Sequence, residues 1–94
     1  MKEVYVVVVS NHEFYYDDGQ ASHLPRFRPV LGVYDDCNSA HGKVYNTFCG
    51  ENSDIYEELR VDVNSYEYKY TDKTHGGYVI YTVEVCKKHI EEID

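Results

Sequence analysis

Cys37 and His41 stand four residues apart, and Cys86 and His89 stand three apart. Two thiolates and two imidazoles can hold tetrahedral zinc. Neither spacing matches a zinc signature, and Cys37 falls in an apolar helical stripe, where a thiol acts as a small hydrophobe. With the serines and acids, these residues also supply every member of a nucleophile–base–orienter set. None lies in a local frame that would assemble one. The pairs Asp17-Asp18 and Asp35-Asp36 could do acid–base work, but adjacent side chains point apart on a strand and both pairs flank turn signals. Gly76-Gly77 reads as a hairpin turn and lacks the rest of a phosphate loop. The sequence therefore predicts no enzyme, no catalytic residue, no metal site and no cofactor.

Binding chemistry is better represented. The chain carries eleven tyrosines and no tryptophan. A tyrosine presents an apolar ring with a polar tip, which suits a half-buried interface. Tyr66, Tyr68 and Tyr70 share one strand parity, and Tyr78 and Tyr81 follow on the next strand. They read either as cross-strand packing or as an outward binding face. Acids crowd the same region: Asp54, Glu57, Glu58, Asp62 and Glu67. Carboxylates two apart on a strand are spaced like successive phosphates, although these acids do not keep one parity. A solvated acidic surface is the competing reading. The expected partner-binding set is Asp54, Glu57, Glu58, Asp62, Tyr66, Glu67, Tyr68, Tyr70 and Tyr78.

Acids outnumber bases 17 to 9, for a net charge of −8, and this selects among partners. Nucleic acid and anionic lipid are repelled; a basic protein, including one with a nucleic-acid groove, is attracted. A homodimer through a sheet edge or the tyrosine face is the alternative. No apolar run approaches the ~18 residues of a membrane span. Val6–Val9 is too short for a signal peptide, so a cytoplasmic location is expected. Three cysteines are an odd number, which points to free thiols and a fold without disulfides.

The elements that would position these residues form one domain over residues 1–94. The run Val6-Val7-Val8-Val9 predicts a strand over 3–10, apolar at each of these positions and so covered on both faces. Residues 11–16 read as its exposed arm, and 17–28 as the longest irregular stretch, with Pro25 and Pro29 forbidding a helix. Residues 30–34 predict a second strand. Cys37, Ala40, Val44 and Phe48 recur at helical spacing between the N-cap candidates Asp35 and Asp36 and the C-cap candidate Gly50. Gly42 in that helix implies a close approach. Residues 51–58 suit one helical turn. An alternating strand over 60–71, with Val61 and Val63 inward, and another over 78–86 make a hairpin. Residues 87–94 suit a final helical turn. The prediction is an α+β domain: a mostly antiparallel four-stranded sheet with one main helix on a face, in the order β-β-α-β-β.

Val4-Tyr5-Val6-Val7, then Val30-Leu31-Gly32-Val33-Tyr34-Asp35, then a helix starting near Asn38-Ser39-Ala40 resembles the first half of many small uncharacterised bacterial and phage proteins. That resemblance implies an α+β fold and a mobile-element origin, with no catalytic residues. In acidity and size the chain also resembles phage-encoded inhibitors that mimic DNA, such as some anti-CRISPR proteins. That likeness implies a non-enzymatic inhibitor of a basic nucleic-acid-binding partner.

Overall fold

Runs of β-branched and aromatic residues put most of the described residues into strands. A computed structural model describes residues 2–15, 27–73 and 76–90. The elements are β1 (Lys2–Tyr15), β2 (Val30–Tyr34), α1 (Cys37–Phe48), a short 3-10 turn (Gly50–Asn52), β3 (Tyr56–Val61), β4 (Ser65–Asp72) and β5 (Gly77–Ile90). The five strands form one antiparallel sheet in the order β2-β1-β5-β4-β3. The α+β class, the antiparallel sheet and the single main helix are therefore as expected.

The strand count is five rather than four, because the expected strand over 60–71 is a hairpin. Asp62 N–H bonds Ser65 C=O at 2.8 Å, and the Asp62 carboxylate accepts from Val63 N–H at 2.8 Å. No non-glycine residue described has positive φ, so this turn lacks the Asn-Gly or Asp-Gly signal that marks tight hairpins. Val61 and Val63 lie at its end and are exposed, against the expected inward placement. Where one helical turn was expected over 51–58, the 3-10 turn is brief and β3 begins at Tyr56.

The helical turn expected over 87–94 is overturned as far as Ile90. Those residues continue β5, pairing from Lys2↔Ile90 to Tyr5↔Lys87. The start of β1 needs a partner for its amides, and the long antiparallel register supplies one. Residues 91–94, most of the irregular stretch (16–26) and two of the turn residues (74–75) lie outside the described residues.

Helix α1 matches its expected span closely. Asp36 caps it, its carboxylate accepting from Ser39 N–H and Ser39 O–H, each at 2.8 Å. These bonds hold the Asp36 carboxyl below its ordinary pKa. Ala40, Val44 and Phe48 are buried against Val7 and Val9 of β1, Val79, Tyr81, Val83 and Val85 of β5, and Tyr68 of β4. Gly50, with φ +56°, turns the chain out of the helix. Gly42 does not serve a close approach, since a Cβ there would meet nothing within 4 Å.

Opposed residues in a register share a face, so the register fixes what each side of the sheet displays. The helix lies on the side that carries Val7, Val9, Tyr81, Val83 and Tyr68. Val6 and Val8 face the other way and are half-buried, so β1 is not covered on both faces along its length. That open face also displays Phe14, Val30 and Val33, all exposed.

Candidate functional site

The residues expected to bind a partner divide among three places. Tyr66, Tyr68 and Tyr70 oppose Val83, Tyr81 and Val79, which places them on the helix side. Tyr68 is only 2% exposed and lies parallel to Phe48, with ring centroids 4.7 Å apart. Tyr66 shares a hydrogen bond with His41 Nδ1, and Tyr70 packs on the core. The tyrosine stripe is thus core packing beneath α1, the first of its two readings, which corrects the placing of Tyr66, Tyr68 and Tyr70 in the expected partner-binding set. Alternation alone could not tell which parity the helix would cover, since tyrosine suits either side.

Burial raises the pKa of Tyr56, Tyr66 and Tyr68 above the ordinary phenol value. For Tyr68, the hydrogen bond its hydroxyl shares with Cys49 Sγ at 3.6 Å adds to the effect of burial. These hydroxyls are structural donors and acceptors, held away from ionisation.

Glu67 and Tyr78 lie on the opposite face. Glu67 pairs with Arg60 at 3.4 Å. Tyr78 stacks on Phe14 at 4.9 Å, with Lys69 Nζ 4.6 Å above its ring. His12 stacks on Phe14 at 5.7 Å and completes this small aromatic group.

Asp54, Glu57, Glu58 and Asp62 lie in and around β3, the strand at one edge of the sheet, and all are exposed. Ile55, Leu59, Val61 and Val63 stand among them and are exposed too, Val63 by 79%. Sequence reasoning placed Val61 and Val63 inward and gave Ile55 and Leu59 no role. Leu59, Val61 and Val63 recur at a spacing of two, a pattern that an inward-facing strand also produces. The ladder to β4 shifts between Glu58 and Arg60, so the edge carries a bulge at Leu59. Among the described residues, no strand pairs with the outer side of β3.

Behind this edge, a cleft of about 490 Å³ opens between the end of α1 and β3. Phe48, Tyr56 and Tyr68 reach it from the core, Glu57 and Glu58 from β3, and Tyr45, Gly50 and Ser53 from the helix end and the turn after it. Tyr45 is 60% exposed. A neighbouring cleft of about 350 Å³ shares Ser53, Tyr56 and Glu57 but is also lined by Lys69 and Lys73.

Cys86 and His89 differ in strand parity and so point to opposite faces. Cys37 and His41 stand one turn apart on α1, and His41 is hydrogen-bonded to Tyr66. Among the described residues, no three His, Cys, Asp or Glu side chains converge on a point that could hold a metal ion. Cys37, Cys49 and Cys86 are free thiols. No described helix is long and apolar enough to cross a membrane. No match to this chain was found among protein-family models, curated proteins or solved structures.

Proposed function

We propose that this protein is a non-enzymatic, acidic protein-binding module that takes a basic partner along the β3 edge. The observation that carries the reading is the composition of that edge. Past Tyr56, every residue of β3 is exposed: Glu57, Glu58, Leu59, Arg60 and Val61, with Asp54, Ile55, Asp62 and Val63 exposed in the flanking turns. Solvation alone explains the charged residues but not Ile55, Leu59, Val61 and Val63 beside them. Exposed apolar residues set among charges fit a docking surface. The net charge of −8 would steer a basic partner toward it, and the apolar residues would slow its release. The bulge at Leu59 interrupts the row of edge amides, so the partner docks on side chains rather than extending the sheet. The narrower form of the proposal is an inhibitor of the phage DNA-mimic type, covering a partner's nucleic-acid groove in a host cytoplasm.

Selection of a random displayed peptide library on the immobilised protein tests this. Enriched peptides should carry lysine or arginine among apolar residues. Their binding should weaken with added salt and be lost in a Glu57→Lys, Leu59→Ser variant that keeps its fold. Enrichment without basic bias, or binding indifferent to these substitutions, would overturn the reading.

A second reading, a small accessory domain that pairs with its own copy, draws on the exposed Phe14, Val30 and Val33 of the open face. Sedimentation equilibrium discriminates: apolar self-association resists salt, whereas the electrostatic complex does not.

A further inference from the structure

We infer that the cleft between the end of α1 and β3 is a receptor for one cationic side chain, an ammonium or guanidinium head group presented by the basic partner. The inference rests on the partner reading above and names the subsite within it. The cleft volume of about 490 Å³ falls within the roughly 300–1,000 Å³ of small-ligand sites. Three features of the cleft favour positive charge.

The first is aromatic. Phe48 and Tyr68 cover each other's faces by stacking, so they offer edges and the Tyr68 hydroxyl. Tyr45 is different, because its ring is exposed at the rim. It lies over Gly50, where an added Cβ would come within 3.4 Å of the ring. An exposed ring face held at a rim attracts a cation through its quadrupole.

The second feature is carboxylate. Glu58, opposite Tyr68 in the register, brings its carboxylate to the β3 side of the cleft, and Glu57 lines the same wall from the neighbouring position, opposite Lys69. Among the described residues neither takes part in an ion pair, whereas Glu3, Asp35 and Glu67 do. The third is the helix end. The last turn of α1 carries no basic residue; the neutral Asn52 amide donates to the Asn46 and Thr47 carbonyls, so no positively charged side chain offsets the partial negative charge of the helix end. The lining itself contains no lysine, arginine or histidine. The neighbouring cleft fails this criterion, because Lys69 and Lys73 already supply positive charge there.

The test is an NMR titration of the full chain with N-acetyl-arginine methylamide and, separately, its neutral isostere N-acetyl-citrulline methylamide. The arginine compound should shift the amides of Tyr45, Gly50, Ser53 and Glu58 along one saturable curve. Citrulline should bind on the order of tenfold more weakly. Tyr45→Ala and Glu58→Gln should each weaken arginine binding about three- to tenfold. Glu84→Gln, on the opposite face, should leave it unchanged. Equal response to citrulline, absence of shifts, or shifts scattered over the acidic surface without saturation would overturn the inference. Peptides from the library selection separate the two levels. A peptide lost on Glu57→Lys, Leu59→Ser but unaffected by Tyr45→Ala and Glu58→Gln sinks the cleft alone. One affected by none of these substitutions sinks the edge as well.

Discussion

Replacing Phe48 with alanine should remove a large part of this domain's stability. The Phe48 ring is 1% exposed and meets four others. Its centroid is 4.7 Å from Tyr68, 5.0 Å from Tyr56, 5.1 Å from Phe27 and 5.8 Å from Tyr81. Loss of the buried ring forfeits about 1.5–3 kcal/mol of transfer free energy, and the cavity adds to that. Rigid aromatic neighbours collapse poorly into a void, so we expect about 4–5 kcal/mol, at the top of the usual range for this substitution. A domain of this length has about 5–14 kcal/mol in total. With a urea slope of about 1.5 kcal/mol/M, the midpoint should fall by about 3 M. Urea unfolding followed by far-ultraviolet circular dichroism reads this directly. A double-mutant cycle of Phe48→Leu and Tyr68→Leu should add a coupling of about 1 kcal/mol from the parallel stack. A cost below about 1 kcal/mol for Phe48→Ala, at unchanged slope, would mean that α1 docks by another face. A coupling of zero would mean that the two rings do not stack.

Two glycines should respond in opposite senses in the same unfolding assay. Gly42→Ala should stabilise by about 0.5–1 kcal/mol, since it sits mid-helix with nothing near its Cβ position. Gly50→Ala should cost about 1 kcal/mol or more, because its φ of +56° is left-handed. Alkaline titration followed by tyrosinate absorbance should show late-ionising phenols. The folded pKa values of Tyr56, Tyr66 and Tyr68 are raised above the unfolded value of 10. Their contribution is therefore intact below pH 10 and is lost as pH rises above it, with ionisation accompanying unfolding. Asp36 has the opposite sign: its folded pKa is lowered from 3.8, so its stabilisation is present above that pH and lost on further acidification. Asp36→Ala should accordingly lower the melting temperature at neutral pH and lose that effect at strongly acid pH, whereas Asp36→Asn should remain capped throughout.

Helix α1 was legible because three signals agreed: the Cys37-Ala40-Val44-Phe48 stripe, the cap at Asp36 and the glycine at position 50. The inward strand faces were legible where valine marked them, at Val79, Val83 and Val85. The hairpin at residues 62–65 was not, because its turn uses Val63 and Asn64 with no glycine and keeps an alternating pattern across the reversal. Lys87–His89 read as part of a final helical turn because their charges solvate either a helix or a strand; only the pairing with β1 decides between them. The acidic part of the candidate site, Asp54 to Asp62, was placed on an exposed surface as expected. Its aromatic part was not, since the parity of Tyr66, Tyr68 and Tyr70 leaves open which side the helix will cover. Tyr45 passed unnoticed because one exposed aromatic on a helix gives no sequence pattern at all.

The pairing of β1 with β5 along their whole lengths bears on how the chain comes to be folded. Val7 meets Val85 and Val9 meets Val83, so β1 finds its central neighbour only after β2, α1, β3 and β4 have been synthesised. Until then, Val6–Val9 is an unsatisfied β-branched segment on the ribosome, the kind of stretch that recruits foreign strands. Closure across so much sequence must precede the contacts that reward it, which predicts folding in milliseconds to seconds rather than microseconds. The excess of acidic side chains then has a use before any partner arrives: mutual repulsion between nascent copies keeps that waiting strand from finding another of its kind.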